Sequence, residues 1–427
     1  MIQEIKIKNF LSFKDEVKFS FEASNDKFAE SSQVVQVNEN TRLLRFAIVY
    51  GYNASGKSNL LSVFEFLLNF WFAKKDDMDD TTGCVPFKLN TFSPRERSCF
   101  NMVFYVNNTK YHYELELDSN IVYLERLSYY KTTQPLELFT RTYRDGQSFI
   151  SFGPSIKVNS AVENDIMVKC LKNMSFFAAR NQVNASLPLI DAPKDWMKKN
   201  VMQIITPSTD LTRYAQKKTS EDDALIKYIV KFLKEADFNI TDLKTNSEDR
   251  PIPQGVMDIL LHIDELPAKE KDRLKNEKSL KHLYTDFEHT VENDNGTEVY
   301  KLNSEDDEES RGTMRTFGLE CALYAVMQKN AFLAIDEIET SLHPKLLEKI
   351  LFEYLKTSSK SQLIVTTHND GLLDLVDDLI RKDSVWFTEK DRAGVTDLYK
   401  LTDFRGINRL SSIREAYRNK RFGATMK

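Results

Sequence analysis

Apolar and polar residues alternate at several places in the first 130 residues, which is the pattern of half-buried β-strands. The alternation covers Ile2–Phe10 and Val17–Phe21, and it returns in three runs at 102–106, 111–117 and 121–127. Short segments rich in Asn, Asp and Ser separate these three runs and predict turns. The N-terminal part of the chain therefore predicts two half-exposed strands followed by an antiparallel meander.

A different pattern surrounds the first glycines. Leu43–Tyr50 is an apolar run with β-branched residues that predicts a buried strand, and Asn59–Leu68 has apolar residues at helical spacing, predicting a helix that reaches about Ala73. The intervening segment reads Gly51-Tyr52-Asn53-Ala54-Ser55-Gly56-Lys57-Ser58, which fits the phosphate-binding pattern G-x-x-x-x-G-K-S. Strand, glycine-bearing loop and helix together form the geometry that this motif requires.

The chemistry predicted for this loop is binding of nucleotide phosphates. Glycines let backbone N–H groups curl around phosphate oxygens, and the helix start adds the positive end of its dipole. Lys57 would reach the β- and γ-phosphates and serve catalysis, while Ser58 would hold Mg²⁺. The predicted binding residues are Asn53, Ala54, Ser55, Gly56, Lys57, Ser58 and Asn59. A glycine-bearing turn that merely starts a helix is the alternative.

The middle of the chain changes character. Residues 155–280 read mainly as helix, and Ala224–Leu233 is clearly amphipathic at helical period. Strand patterns return at 283–290 and 298–302. We therefore predict three parts: an N-terminal lobe over 1–150, a mainly helical insertion over 151–281, and a C-terminal lobe over 282–427.

Composition narrows the class of protein. A chain of 427 residues exceeds the usual single-domain size, and its 41% hydrophobic and 29% charged residues are ordinary for a soluble globular protein. The net charge of −5 gives no global nucleic-acid signature, although a local basic patch stays open. The four widely spaced cysteines suggest neither a zinc site nor a disulfide framework. No signal peptide or membrane-length apolar run is evident, so we predict a cytoplasmic protein without a membrane partner.

A second group of candidate residues lies far downstream. The apolar run Ala331–Ile335 ends in Asp336 and Glu337, the arrangement called Walker B. Asp336 would bind Mg²⁺, and Glu337 would act as a general base on the attacking water. An acidic pair after a strand could instead form a helix N-cap.

Two further positions complete the candidate site. His368 follows the apolar run 363–365, where a histidine could contact and sense a γ-phosphate, or could be merely structural. Ser310 and Gly312 precede the apolar helical stretch Phe317–Val326 and could form a second anion site at a helix N-terminus. The alternative is an ordinary N-cap by Ser310 or Thr313.

The order of these motifs resembles the ABC-type ATPase heads, the group that includes Rad50, SMC and RecF. A narrower set of segments is similar to the small bacterial ATPases of the AAA-15/AAA-21 group, which includes the OLD-, Rlo- and PARIS-type phage-defence ATPases. The segments that carry this resemblance are Ile5–Phe10, Gly51–Ser58, Glu309–Thr313, Asp336–Pro344, Val385–Asp391 and Arg421–Ala424. The implied fold is α/β: a P-loop ATPase head of two lobes, with a mixed sheet, an antiparallel β meander and a mainly helical insertion.

The resemblance also implies a mode of action. ATP and Mg²⁺ would be the cofactors, and the chain would form a homodimer, or a higher homo-oligomer, around ATP, with Ser310 and Gly312 acting on the nucleotide of the partner chain. Family members work with a separately encoded effector, often a nuclease, and DNA or a phage protein would be the trigger. The sequence departs from the transporter signature L-S-G-G-Q, having Ser310-Arg311-Gly312-Thr313 instead.

Two functions other than an ATPase switch are open to this sequence. One is a self-sufficient DNA-processing ATPase with its own nuclease activity, and the other is a transport ATPase. The histidines are dispersed and no second carboxylate cluster is evident, which favours the switch. The C-terminal tail is locally basic and indicates either a solvated helix or a patch for nucleic acid or an acidic partner. Its basic residues are Arg405, Arg409, Arg414, Arg418, Lys420 and Arg421.

Overall fold

The computed structural model describes residues 1–236, 238–262, 268–294, 296–304 and 308–425. These residues group into two compact units. Unit 1 comprises Met1–Ser208, Ala325–Thr340 and Ile350–Lys427, and unit 2 comprises Thr209–Tyr324 and Ser341–Lys349. The three parts predicted from the sequence, residues 1–150, 151–281 and 282–427, stay a prediction.

The described strands and helices follow one another in a mixed α/β order. The strands are β1 (Ile2–Lys8), β2 (Val17–Ser20), β3 (Val34–Asn38), β4 (Thr41–Leu44), β5 (Phe46–Tyr50), β6 (Ser98–Val106), β7 (Thr109–Leu117), β8 (Val122–Tyr130), β9 (Pro135–Arg144), β10 (Gln147–Phe152), β11 (Ile240–Pro251), β12 (Ser279–Asn293), β13 (Gly296–Asn303), β14 (Phe332–Ile335), β15 (Gln362–Thr366), β16 (Val385–Lys390) and β17 (Thr396–Lys400). The α-helices are α1 (Glu30–Gln33), α2 (Lys57–Phe72), α3 (Ser160–Lys169), α4 (Phe176–Arg180), α5 (Pro188–Asn200), α6 (Thr212–Thr219), α7 (Asp223–Glu235), α8 (Gln254–His262), α9 (Ala268–Glu277), α10 (Arg311–Lys329), α11 (Pro344–Lys356) and α12 (Ile413–Arg418). A short 3₁₀ helix, Asp370–Leu375, follows β15.

Unit 1 contains a seven-stranded antiparallel sheet in the order β10-β9-β8-β7-β6-β1-β2. Burial alternates along β6, where Phe100, Met102 and Phe104 point inward. One face of this sheet is therefore packed and the other is partly solvated, as antiparallel sheets commonly are. The predicted meander is confirmed.

The second large sheet of unit 1 has the order β14-β15-β5-β16-β17, and its first four strands are parallel. All five residues of β5 are buried, as is typical of a central parallel strand. Parallel strands end at the same edge of a sheet. The segments that follow β5, β14 and β15 therefore lie side by side, and they are the segments that carry the predicted motifs.

The run Leu43–Tyr50, predicted as one strand, is divided between β4 and β5. Arg45 separates them and is only 1% exposed. Its guanidinium donates to Ser359 Oγ at 2.6 Å and lies 5.0 Å from the ring centre of Tyr354. A buried charge needs such partners. The run divides at Arg45 because β4 pairs with β3, whereas β5 pairs with β15 and β16.

Helix α2 lies between the two large sheets of unit 1, because it is apolar on more than one face. Phe64 contacts Phe332 of β14, with ring centres 4.7 Å apart. Trp71 contacts Tyr113 of β7 at 4.8 Å and stacks on Phe177 of α4 at 3.9 Å. Such aromatic pairs bury large areas, so the start of α2, which carries Lys57, is fixed from both sides.

Unit 2 contains the antiparallel sheet β11-β12-β13, helices α6 to α9 and most of α10. Phe287 of β12 and Phe317 of α10 are fully buried and meet edge-to-face at 5.4 Å. Strand β11 departs from the mainly helical prediction for this stretch. It buries Ile240 and Leu243 but is otherwise polar, so pairing with β12 rather than its own pattern defines it as a strand.

Candidate functional site

A pocket of about 290 Å³ opens at the carboxyl edge of the five-stranded sheet. Its lining joins the glycine-bearing loop to residues that are nearly 300 positions further along the chain. The lining residues are Asn53, Ala54, Ser55, Gly56, Lys57, Ser58, Asn59, Glu337, His368 and Lys390. All of them belong to unit 1. The structure thus brings together most of the residues that the sequence predicted for one site.

The loop between β5 and α2 depends on its two glycines. Gly56 precedes α2 with a φ of +110°, a conformation that side chains rarely adopt. A Cβ atom at Gly56 would lie 2.5 Å from Thr396 Oγ1, and one at Gly51 would lie 2.3 Å from Ser55 Oγ. The first helical bond runs from Leu60 N to Gly56 O. The amides before Leu60 therefore have no partner within the helix and suit an anion.

Lys57 is only 5% exposed, although it is charged. Its Nζ atom donates to Gly51 O at 2.9 Å and lies 3.4 Å from His368 Nδ1. Burial lowers the pKa of Lys57, and the nearby carboxylates, led by those of Asp336 and Glu337, oppose that effect. The ammonium is thus held inside the loop at the position where phosphate oxygens would need a cation.

Asp336 and Glu337 follow β14 and share one hydroxyl partner. Thr366 Oγ1 donates to Asp336 Oδ1 at 2.5 Å and accepts a hydrogen bond from Glu337 N at 2.8 Å. The backbone of Glu337 is left-handed, with a φ of +46°. Outliers of this kind cluster at functional sites. The acidic pair is thus fixed by β15 and is not arranged as a helix N-cap.

His368 lies within reach of both neighbouring motifs. Its Nε2 atom is 3.4 Å from Glu337 Oε1, and its backbone N–H donates to Glu339 Oε1 at 2.6 Å. The imidazole is one-third exposed, so a ligand in the pocket could contact it. The arrangement places a carboxylate, an ammonium and an imidazole around one cavity.

The remaining predicted loop residues differ in what their side chains contact. Ser58 is exposed and lines the pocket, so its hydroxyl suits a hard cation together with Asp336. Asn59 also lines the pocket, but its amide donates to Ser12 Oγ at 2.7 Å. The buried Ser55 hydroxyl pairs with Thr388 Oγ1 at 2.7 Å. Oxygen donors, loop amides and a lysine together fit a nucleoside triphosphate with Mg²⁺.

Sequence reasoning missed several residues that support the site. Thr366 and Glu339 hold the acidic pair and His368, and Ser12 and Thr396 lie behind the loop, with their hydroxyls 2.8 Å apart. Each sits in or beside a segment that was recognised. A small hydroxyl residue at the end of a buried strand was the available signal for Thr366, but such residues are too common to stand out.

Ser310 and Gly312 lie in unit 2. Ser310 Oγ accepts a hydrogen bond from Thr313 N at 3.0 Å, which is the N-cap geometry given above as the alternative to an anion site. A Cβ atom at Gly312 would lie 3.2 Å from Ser341 O. The segment is therefore tightly packed at the start of α10, and its action on a partner chain stays a prediction.

The basic C-terminal tail is partly neutralised. Arg414 and Arg418 form ion pairs with Asp370, and Arg414 also pairs with Asp374. These two arginines are thus engaged within unit 1, which weakens the reading of the whole tail as a basic patch.

Two searches of the described residues gave negative results. Within the described ranges, no group of three or more His, Cys, Asp or Glu is placed to hold a metal ion. In the same part of the chain, every helix is too short or too polar to cross a membrane.

Comparisons with solved structures give weak matches to the head domains of SMC proteins. The SMC head domain from Thermotoga maritima has 15% identity and a TM-score of 0.40, covering 93% of this chain and 98% of that one. An SMC head bound to the C-terminal domain of ScpA from Pyrococcus furiosus has 13% identity and a TM-score of 0.38, covering 99% of this chain and 98% of that one. No curated protein matches the chain.

The comparison with family models is decisive. The model described as "AAA domain, putative AbiEii toxin, Type IV TA system" matches residues 46–155 and 210–374, which is more than half of the chain. The match contains the glycine-bearing loop, Ser310, the acidic pair and His368. The mixed α/β fold and the nucleotide-binding character predicted from the sequence are confirmed. The chain belongs to the AAA_21 family of ABC-type ATPases.

Proposed function

We propose that the protein is an ATP-hydrolysing switch that dimerises around ATP and controls a separately encoded effector. One observation carries the proposal: Lys57, Glu337 and His368 surround one 290 Å³ pocket at the end of a parallel sheet. A cation for phosphate and a carboxylate that can act as a base are groups that nucleotide hydrolysis uses, and the imidazole is placed to contact the γ-phosphate.

The residues have separate roles in this proposal. Lys57 neutralises the β- and γ-phosphates, and Ser58 and Asp336 hold Mg²⁺, which supplies charge stabilisation to the phosphates when bound. Glu337 accepts a proton from the attacking water. His368 contacts the γ-phosphate region, where its ring already bridges Lys57 and Glu337.

We propose that the dimer forms through the signature segment, Ser310 and Gly312. The pocket lining comes from unit 1, whereas Ser310 and Gly312 belong to unit 2. We propose that these two residues act on the nucleotide of a second copy, which gives two equivalent sites about a two-fold axis. An N-capped helix start offers amides to an anion, so this segment suits a phosphate.

Mixed dimers test the sharing of sites. Chains carrying Lys57→Ala are mixed with chains carrying Ser310→Arg. Each mixed dimer then has one site with both lesions and one intact site, so part of the ATP turnover should return. Each variant alone, at the same total concentration, is the control. No recovery in mixtures that are shown to contain mixed dimers would contradict the sharing of residues between chains.

The proposed setting is defence against phage, and the proposed effector is a separately encoded protein, with a nuclease as the first candidate. The family description names a toxin of a two-component system, which supports action with a separate partner. The segment 155–280 adds surface without predicted catalytic residues, and such segments often carry recognition. We propose it as the effector-docking surface, with DNA or a phage protein as the trigger.

Expression with and without the neighbouring gene, under phage challenge, tests this setting. Protection should require both genes and an intact Glu337. Full protection, or DNA cleavage, by this chain alone would instead support a self-sufficient DNA-processing ATPase.

A further inference from the structure

Two arginines of α12 form ion pairs with the 3₁₀ helix that follows His368. Arg414 donates through Nε to Asp370 Oδ1 at 3.1 Å and through Nη1 to Asp374 Oδ2 at 2.7 Å. Arg418 donates to both oxygens of Asp370, at 2.5 Å and 3.1 Å. A bidentate contact between guanidinium and carboxylate fixes orientation as well as distance. The 3₁₀ helix is therefore held at two points, one turn apart.

Helix α12 is itself anchored and can serve as a fixed support. Ser412 Oγ caps it by accepting a hydrogen bond from Glu415 N at 3.1 Å. Tyr417 stacks on Phe387 of β16, with ring centres 5.7 Å apart. Beyond the helix, Phe422 is 1% exposed and stacks on the same ring at 5.6 Å. The tail is thus bound to the strand next to β5, not loosely attached.

Asp370, which both arginines bind, is close to His368 along the chain. Asp370 is two positions after His368, and Asn369 between them accepts a hydrogen bond from Gly371 N at 2.9 Å. On the other side, the His368 backbone N–H is bonded to Glu339. The short connection leaves little freedom, because the backbone is fixed on both sides of the imidazole.

We propose that Arg414 and Arg418 are positioning residues for His368, acting through Asp370. Their hydrogen bonds go to Asp370 and Asp374, which are outside the pocket lining, but they set the backbone from which the imidazole reaches Lys57 and Glu337. The effect on turnover rests on the proposed function of His368. The position of the ring does not, and it can be measured without nucleotide.

The first test is NMR of the full chain with labelled histidine Cε1, at one fixed pH and without nucleotide. His368→Asn identifies the signal of His368. In the double variant Arg414→Gln/Arg418→Gln, that signal should shift or broaden while the other five histidine signals stay in place. The matched control is Arg405→Gln/Arg409→Gln, which removes two exposed charges of the same tail. An unchanged His368 signal in Arg414→Gln/Arg418→Gln would overturn the proposal.

The second test is ATP turnover. Loss of both arginines should lower kcat on the order of 10-fold with KM for ATP unchanged, because small misplacements of reacting groups are costly. Asp370→Asn should reproduce this loss, and combining it with the arginine changes should add nothing. The same arginine changes should have no further effect in a His368→Gln background, and a further loss there would contradict a role through His368. If the wild-type chain does not hydrolyse ATP, only the proposed function is refuted. The NMR measurement still decides whether Arg414 and Arg418 position His368.

Discussion

The pocket edge of unit 1 and the start of α10 in unit 2 both carry predicted nucleotide-binding residues, but they are held in different ways. At the pocket, partners come from far along the chain: Thr366 bonds Asp336, and Glu339 bonds His368. At the start of α10, Ser310 is bonded to Thr313, its neighbour three positions on. The acidic pair and His368 are thus held by long-range contacts, whereas the Ser310 hydroxyl is held by its own helix start.

The difference suggests that the two regions supply different parts of a nucleotide site. The pocket edge has these chemical groups and their supports in one unit, so one chain can supply them together. The Ser310 segment offers helix-start amides and a hydroxyl, and the neighbouring Glu309 carboxylate is already paired with His289. It is therefore better suited to completing a site than to forming one.

The largest expected effect is the loss of turnover in Glu337→Gln. The variant keeps the shape of the side chain but removes the base, so ATP hydrolysis should fall by about 10²–10⁴-fold. Binding should persist, because Lys57 and the loop amides are unchanged. Turnover and retention of labelled ATP are measured together. Glu39→Gln, in an exposed turn, is the control, and wild-type turnover in Glu337→Gln would refute the assignment of the base.

The second prediction concerns the framework of unit 1. Glu125 and Arg141 form a fully buried ion pair at 3.3 Å, and Phe176 N also donates to Glu125 at 2.7 Å. Glu125→Gln leaves the Arg141 charge without its counter-charge, so the free energy of unfolding should fall by about 3–5 kcal/mol. Urea unfolding measures this change.

The exposed pair of Arg97 and Glu116 provides the control for that measurement. Glu116→Gln should cost less than about 1 kcal/mol, because exposed pairs are screened by solvent. Equal losses in the two variants would show that the buried pair is not a special support of unit 1.

A smaller effect is expected at Thr366, whose hydroxyl serves both acidic residues. Thr366→Val keeps the shape but leaves Asp336 and the Glu337 amide without this partner. We expect turnover to fall on the order of 10-fold and the free energy of unfolding to fall by about 1–3 kcal/mol. Thr366→Ser keeps the hydroxyl and should stay close to wild type in both assays. Equal behaviour of the two variants would mean that the hydroxyl is not the relevant group.

The smallest effect on stability is expected at Ser310. Ser310→Ala should cost about 1 kcal/mol, because it removes only a helix cap. Ser310→Asp should restore stability, since Asp is a good N-cap, but it should not restore turnover if the residue faces phosphate. Thermal unfolding and turnover are compared for both variants. Recovery of both properties in Ser310→Asp would make the residue a cap alone.

Local patterns were sufficient to predict much of this molecule. The alternation in β6, β7 and β8 and the spacing in α2 gave elements close to those observed, because each buries an apolar face that is visible in its own residues. The glycine loop was recognisable because its backbone demands particular residue types. Its meeting with Asp336, Glu337 and His368 followed from parallel strands ending at one edge.

Other features depend on partners that the pattern does not show. A predicted strand divides at Arg45 because β4 pairs with β3, whereas β5 pairs with β15 and β16. Strand β11 exists because β12 pairs with it. Arg414 and Arg418 looked like a basic surface, and only the fold brings Asp370 and Asp374 to them. In each case the deciding contact joins residues that are distant in the sequence.

The left-handed backbone of Glu337 sets activity and stability against each other at one position. A residue other than glycine gives up about 1 kcal/mol in this conformation, and asparagine tolerates it better than glutamate does. Glu337→Asn should therefore unfold at a higher temperature than the wild type while losing turnover. The same backbone that would favour asparagine thus holds a carboxylate in the pocket lining.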